Sequence, residues 1–398
     1  MVSNILILGD GAAGTIMANK LRFLTNREDA EITVIGNSVY HYFKPDGIHI
    51  PLGIKDYRGS VKSPQFLYNY GINYVKDTVT GINVDNRAVA TQSGKNYTYD
   101  YLIIATGDRL VPEEIDGFGR EASHFYSLEA SLELKKKLSE FKGGKIVIGP
   151  SSIPYQCPPA PYEFTFQLDR YLRRRGIRDK TELHYIFPLN RVFTMENVSN
   201  YVQKLFDEKG IIYHTLFNLE TINGEKKVVS SLEGEDLKYD FLILVPPHKG
   251  QKVMTESGLA DEQGYIMVDR HHLNYGGLDN VFVIGDATDL PISKAGATAH
   301  FQAEYLAGRI ASEISGFVAE ELYDGSVACT TVTGDEKAFT LYFSYTRPPR
   351  ALFQSKLDYI LKWTSADTYF SGILLGTHCP HNRNKHVKGL HEGNREFL

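Results

Sequence analysis

A glycine-rich turn close to the start most constrains what this chain can fold into. Gly9-Asp10-Gly11-Ala12-Ala13-Gly14 reads G-x-G-x-x-G. It follows the apolar run Ile5 to Leu8 and opens a helix over Thr15 to Thr25; a second apolar strand comes at Glu31 to Ile35. Strand, turn, helix and strand in this order form a βαβ unit with parallel strands. Each glycine has its own reason. The first permits the turn, the second lets backbone approach a pyrophosphate, and the third lets the helix pack on the strand. The helix N-terminus adds positive potential. Gly9, Gly11, Ala12, Ala13 and Gly14 are therefore candidate contacts for a dinucleotide. One position departs from the pattern. The second strand usually ends in an acid that binds the adenosine ribose. Here Gly36, Asn37 and Ser38 follow it, and Asn37 is the candidate for that hydrogen bond.

The strand-then-glycine pattern recurs at Lys145 to Gly149. Further apolar strands read at Phe241 to Val245 and Val281 to Ile284, with amphipathic helices at Ser131 to Phe141 and Phe164 to Arg175. Strands alternating with helices predict an α/β architecture with two tandem Rossmann-like dinucleotide-binding domains. Residues 1–108 and 240–319 are expected to form one discontinuous cofactor domain, and 109–239 the second. From about 320 the pattern changes. Thr330 to Tyr345 reads as strands, and Ser355 to Trp363 and Tyr369 to Leu375 carry apolar residues at helical spacing. Residues 320–376 are expected to form a C-terminal α+β region with amphipathic helices. Residues 377–398 are a polar, His-rich tail left out of the fold.

Composition excludes several classes. The chain of 398 residues carries 43 Lys and Arg against 48 Asp and Glu, a net charge of −5. That argues against nucleic acid as a partner. No apolar run approaches the 18 or so residues needed to span a bilayer. No leader is read before the first strand, so a cytoplasmic location is expected. Three cysteines, Cys157, Cys329 and Cys379, cannot build a disulfide scaffold. Any importance they have is chemical.

Two more segments choose between flavin and nicotinamide. Tyr99 to Gly107 is a strand ending in Ala105-Thr106-Gly107, and Val281 to Ala287 is a strand ending in Gly285-Asp286. Both strings resemble the flavin-binding segments of two-dinucleotide-fold flavoproteins of the disulfide-oxidoreductase type. In that family the Asp after Gly binds the ribityl chain, which maps to Asp286. The resemblance implies FAD as cofactor, held by Val79, Thr106, Gly107, Gly285 and Asp286 besides the first turn. The second glycine exit reads Gly149-Pro150-Ser151-Ser152-Ile153-Pro154. Two prolines remove backbone donors, and the later glycines are missing. A nicotinamide nucleotide loses its phosphate cradle there, so the electron donor is expected to be something else.

The failed turn runs into a proline-rich loop holding Cys157, a poor place to hide an inert thiol. At this point the chain resembles the sulfide:quinone oxidoreductases and their relatives, the flavoprotein subunits of flavocytochrome c sulfide dehydrogenase. Cys157-Pro158-Pro159-Ala160-Pro161-Tyr162-Glu163, Pro291-Ile292-Ser293-Lys294-Ala295-Gly296 and Lys362-Trp363-Thr364 carry the likeness. It implies that Cys157 and Cys329 flank the flavin and carry a growing sulfur chain. It also places Lys294 and Ala295 near the flavin's pyrimidine end. Some relatives have a third cysteine where this chain has Tyr126-Ser127. Flavocytochrome relatives attach FAD through an early cysteine. None precedes Cys157 here, so FAD is expected to be non-covalent.

The implied reaction has sulfide attacking the cysteine pair and quinone accepting the electrons from reduced flavin. Glu163 is the candidate base; His41, His49 and His300 are further titratable groups more often structural. Phe339, Tyr342, Phe343 and Tyr345 are candidate quinone contacts. The apolar residues of Leu352 to Leu375, with Lys356 and Lys362, fit helices lying on a membrane surface. A peripheral protein on the cytoplasmic face is expected, and a homo-oligomer stays open. Two rivals remain: a type II NADH:quinone oxidoreductase, and a sulfide dehydrogenase donating to a cytochrome c.

Overall fold

The computed structural model describes residues 2–318, 320–349 and 352–375; the polar tail from 377, with Cys379, lies outside them. β1 (Ser3–Leu8), α1 (Ala12–Leu24) and β2 (Ala30–Gly36) form the opening unit, the strands parallel with Ile5 opposite Ile32. β3 (Ile72–Lys76) extends the sheet beyond β2, and β4 (Tyr101–Ile104) flanks β1 on the other side. The apolar runs are continuous because both faces are buried. Ile5 and Ile7 join one core cluster, while Leu6 and Leu8 join another.

The second sheet is built the same way. β5 (Ala122–Ser123), α2 (Leu128–Glu140), β6 (Gly144–Pro150), α3 (Ala160–Arg174), β7 (Thr181–Phe187), α4 (Glu196–Lys209), β8 (Ile212–Thr215) and β9 (Phe241–Val245) follow in turn. The strands pair in parallel in the order β5-β9-β6-β7-β8. The chain then returns to the first sheet, where β10 (Val281–Val283) pairs with β4, and α5 (Gly296–Ile314) packs on α1.

The two sheets share a detail that marks them as repeats of one plan. Each has a three-stranded antiparallel meander just before a core strand, Val79 to Thr98 before β4 in the first and Leu219 to Lys238 before β9 in the second. Each meander ends in Tyr-Asp. The carboxylates of Asp100 and Asp240 accept the backbone N–H of Asn4 and Lys145 respectively, both at 2.7 Å. A core strand thus begins in each half on the same hydrogen bond.

The C-terminal region is a hairpin, β11 (Val327–Gly334) with β12 (Lys337–Phe343), followed by α6 (Lys356–Asp367). Ser355 caps α6 by accepting the N–H of Asp358 at 2.9 Å. The hairpin packs on α3 and α6 packs on the hairpin. A π-helical turn, Tyr369–Ile373, then returns the chain to the first sheet. There Asn19 Nδ2 donates to the carbonyls of Leu67 and Leu374, each at 2.7 Å, and His41 spans the Asp10 carbonyl and the Tyr369 hydroxyl.

Two glycines of the first turn are needed for different reasons. A Cβ on Gly14 would lie 1.9 Å from the Gly9 carbonyl oxygen, whereas a Cβ on Gly11 meets no protein atom within 4 Å. Gly14→Ala is therefore expected to cost about 3 kcal/mol in urea unfolding of the flavin-free protein. Gly11→Ala is expected to leave that stability unchanged and to lower the bound flavin recovered on purification.

Candidate active site

The turn between β1 and α1 presents an open helix end. Gly9 adopts φ +110°, which places its backbone against Ala105, where a Cβ would lie 2.4 Å from the carbonyl oxygen. No side chain caps α1, and the first helical N–H to bond back is that of Thr15, to Gly11. The donors ahead of it at Ala12, Ala13 and Gly14 have no acceptor in the helix. Such an end fits a pyrophosphate. Asn37 lies exposed at the rim and donates to the Thr78 hydroxyl at 3.3 Å, beside Val79. Sequence reading missed the acid beneath this corner. Asp10 is buried and accepts the Ser38 N–H, the Ser38 hydroxyl and the Tyr74 hydroxyl.

The Ala-Thr-Gly and Gly-Asp segments meet beside it, because β4 and β10 are neighbours. Gly285 N–H bonds Gln302 Oε1 at 2.7 Å. Lys294 lies folded over this loop. Its ammonium donates to the carbonyls of Asp286 and Thr288 at 2.9 and 2.7 Å and sits 3.8 Å from the centre of the Tyr265 ring. Asp108, just after Gly107, accepts from Gln156 Nε2, and Lys44 donates to Gln156 Oε1 at 3.0 Å. Burial, with Asp286 close by, pushes the Asp108 carboxyl up, and burial likewise raises Asp286. Thr106 Oγ1, Asp108 Oδ2 and Gln302 Nε2 are buried polar atoms without a partner among the described residues. Those atoms, the open turn and the close-packed Gly9 fit a flavin dinucleotide.

The second glycine turn has no comparable donors. Pro150 ends β6, and Ser151 folds back so that both its N–H and its hydroxyl bond the Val245 carbonyl. Helix α3 does not begin until Ala160.

The intervening loop presents Cys157. Its φ is +49°, an uncommon conformation for a residue with a side chain. Its N–H bonds the Lys294 carbonyl, which ties this loop to the Gly-Asp segment. Cys329 comes from β11, and both residues pack against one core cluster as free thiols. Beside them lies a buried ion pair. Glu163, in the first turn of α3, is 2% exposed. Lys362, on α6, places its ammonium 3.2 Å from Glu163 Oε1 and donates to the Thr330 carbonyl at 2.7 Å. Glu163 Oε1 also accepts the Val332 N–H at 3.0 Å. Lys362 was expected at a membrane surface; it turns inward because this carboxylate and carbonyl take its charge.

The electrostatics follow from burial. Burial and the neighbouring Cys329 push the Cys157 thiol well up, and burial pushes Cys329 up to about 11; Lys362 draws both back down. Burial works against the Lys362 ammonium, but Glu163 and the two thiols outweigh it and leave its pKa raised.

The remaining expected residues are spread around this site, two of them in the core cluster that both thiols pack against. Phe339 is fully buried between Tyr162 and Tyr201, Phe343 is buried in the same cluster, and Tyr342 is exposed on the outer face of the hairpin. Tyr345 lies under Arg270. Tyr126, where some relatives carry a third cysteine, donates its hydroxyl to the Gln156 carbonyl, and Ser127 caps α2. Among the described residues no cluster suits a metal ion.

Comparison with known proteins gives a consistent picture. Residues 3–303 match the family model for pyridine nucleotide-disulphide oxidoreductases. The chain is 30% identical over 397 residues to the mitochondrial sulfide:quinone oxidoreductase of Dictyostelium discoideum, covering 94% of this chain and 86% of that one. The Mus musculus protein of the same name is 28% identical over 360 residues, covering 88% and 80%. The X-ray structure of the sulfide:quinone oxidoreductase from Aquifex aeolicus aligns with a TM-score of 0.82 at 25% identity, covering 94% of this chain and 92% of that one.

The ion pair makes a measurable prediction. Lys362→Met removes the ammonium that lowers both thiol pKa values. Alkylation of the reduced protein by iodoacetamide is expected to slow at fixed alkaline pH, about tenfold for each unit of pKa rise. The stranded Glu163 carboxylate is expected to cost about 3–5 kcal/mol in denaturant unfolding.

Proposed function

The chain belongs to the pyridine nucleotide-disulphide oxidoreductase family and, within it, to the sulfide:quinone oxidoreductases, and we propose on that premise that it oxidises sulfide through Cys157 and Cys329 and delivers the electrons to a quinone. The observation that carries this reading is the meeting of two free thiols with the buried Glu163–Lys362 pair, Cys157 coming from a loop tied to the Gly-Asp segment.

The residues divide the work. Gly9, Gly11 and the N–H groups of Ala12 to Gly14 hold the pyrophosphate of a non-covalent FAD. Asn37 and Val79 lie at its adenosine side, and Thr106, Gly107, Gly285, Asp286, Lys294 and Ala295 hold its flavin side. FAD supplies a two-electron acceptor that can pass its electrons on to quinone. Sulfide attacks the disulfide form of the cysteine pair. One S–S bond forms as another breaks, which leaves a persulfide on one cysteine and a thiolate on the other. Lys362 balances the thiolate charge, and Glu163 fixes Lys362 in place. The thiolate and the outer persulfide sulfur then join in a new S–S bond, giving a bridging trisulfide with loss of the persulfide proton and of two electrons, which a bound FAD would accept. Repetition lengthens the sulfur chain, released as polysulfide or sulfur.

Quinone dissolves in lipid, so the enzyme has to reach a membrane surface. Among the described residues no helix is long and apolar enough to cross one. Phe353, Leu357, Ile360 and Leu361 instead lie exposed at helical spacing on and just before α6. An apolar stripe of this kind fits insertion into the headgroup layer. We assign that stripe to the membrane, with quinone entering beside the hairpin that carries Tyr342 and Phe343.

Two experiments test this reading. Anaerobic stopped-flow mixing of holoprotein with sulfide is expected to bleach the flavin, and Cys157→Ser or Cys329→Ser to abolish the bleaching. Bleaching by NADH instead would place the protein with the NADH:quinone oxidoreductases. Separately, Leu357→Glu with Ile360→Glu is expected to abolish sedimentation with liposomes. Reduction of the flavin by sulfide in solution should be unchanged.

A further inference from the structure

The chemistry above uses no group that accepts the proton of an S–H bond. Glu163 is engaged by Lys362 and by the Val332 N–H. A second buried base lies near the ion pair, both of whose charges act on it. His49 follows the short helix Lys44–Ile48 and is 1% exposed. Its Nδ1 lies 3.3 Å from Asp46 Oδ1, and Asp46 Oδ2 accepts the Ser60 hydroxyl at 2.7 Å. An ionised carboxylate only accepts, so this contact puts the imidazole proton on Nδ1 and leaves Nε2 a bare acceptor.

Among the described residues nothing satisfies that acceptor. His49 Nε2 is buried without a hydrogen-bond partner, and so is Nε1–H of Trp363, whose ring lies 4.7 Å from the imidazole. Buried polar atoms are normally paired. Here an acceptor and a donor stand side by side, both unpaired, one residue from Lys362. Lys55 covers the Trp363 ring at 5.2 Å. Ile48 and Leu52, on either side of His49, belong to the cluster that Cys157 and Cys329 pack against. The charged groups that act on His49 are Asp46 from its own segment, Glu163 from α3 and Lys362 from α6. Burial, aided by Lys362, outweighs the two carboxylates and holds the imidazole below its ordinary range. It is therefore neutral and able to accept a proton at about pH 7.

We propose that His49, oriented by Asp46, is the base that takes the S–H proton from sulfide arriving as neutral hydrogen sulfide. The inference rests on the cysteine reading above. Neutral hydrogen sulfide enters a buried, largely apolar site at less desolvation cost than the hydrosulfide anion. Its proton passes to His49 Nε2 as its sulfur attacks one sulfur of the Cys157–Cys329 disulfide. The S–S bond between the cysteines breaks. The products are a persulfide that keeps the second S–H proton, a thiolate facing Lys362, and an imidazolium held by Asp46.

The test is the pH profile of flavin reduction by sulfide in single turnovers of the holoenzyme, scanned across the first ionisation of hydrogen sulfide. The wild-type rate is expected not to follow the fraction of hydrosulfide anion. His49→Gln is expected to lose about 100-fold where sulfide is mostly the neutral acid and to recover as it ionises. Asp46→Asn is expected to show the same recovery with a smaller loss, and it carries the test if His49→Gln fails to retain flavin. A loss of equal size at every pH, or no loss, overturns the role of His49. If sulfide reduces the wild-type flavin and Cys157→Ser does not impair it, the cysteine reading fails first.

Discussion

The Glu163–Lys362 ion pair is the constraint around which the sulfur side of the molecule is arranged. Its partners come from α3 and α6, and the two groups reach β11 through the Val332 N–H and the Thr330 carbonyl. Three elements distant in sequence are thereby fixed around Cys329, which precedes Thr330. A buried pair of this kind earns little net stability against an apolar substitute, but losing one member strands a charge. Its structural value is therefore positional. It requires the C-terminal helix to dock in one register on the hairpin, and it sets a cation beside two thiols whose pKa burial raises, drawing both part of the way back down.

The same pair explains why α6 has two unlike faces. Lys362 and Trp363 turn inward, toward Glu163 and His49. Leu357, Ile360 and Leu361 are left facing out. An exposed apolar stripe on a helix anchored by a buried charge cannot roll inward to hide itself. The arrangement holds that face toward whatever surface the protein meets, while the opposite face stays packed beside the ion pair and His49.

Much of this was legible in the chain, for a physical reason. The strand exits at Gly9, Gly107, Gly149 and Gly285 all take positive φ, a demand that selects glycine wherever it arises. Local demands of that kind leave local traces. The Tyr-Asp repeat at 99–100 and 239–240 was equally local but went unread, because its meaning lies in the strand each carboxylate starts. Lys362 was placed on the wrong face for a related reason. Periodicity gives the faces of a helix, but not which long side chain finds a buried acid nearly 200 residues away. Asp10 and Asp46 left no trace either, and His49 was read only as one of three titratable histidines more often structural, since each takes its meaning from partners brought by packing alone.

The loop from Tyr155 to Glu163 joins two regions that keep separate charge balances. On its cofactor side, Gln156 links Lys44 to Asp108, and the Cys157 N–H bonds the Lys294 carbonyl. On its sulfur side, Glu163 holds Lys362. Cys157 sits between them in a left-handed conformation that a side chain adopts only when its surroundings impose it. Here the surroundings are proline on one flank and bonded backbone on both, for the Cys157 carbonyl also accepts the Ala160 N–H. A backbone fixed in this way need not move with the charge of either region, although the thiol's pKa answers to Lys362 and Glu163. Each balance can change, the acids and lysines with the cofactor and the ion pair with the sulfur, while the atom between them stays in place. If, as proposed above, a sulfur chain grows on Cys157, such an anchored backbone gives each round the same starting geometry.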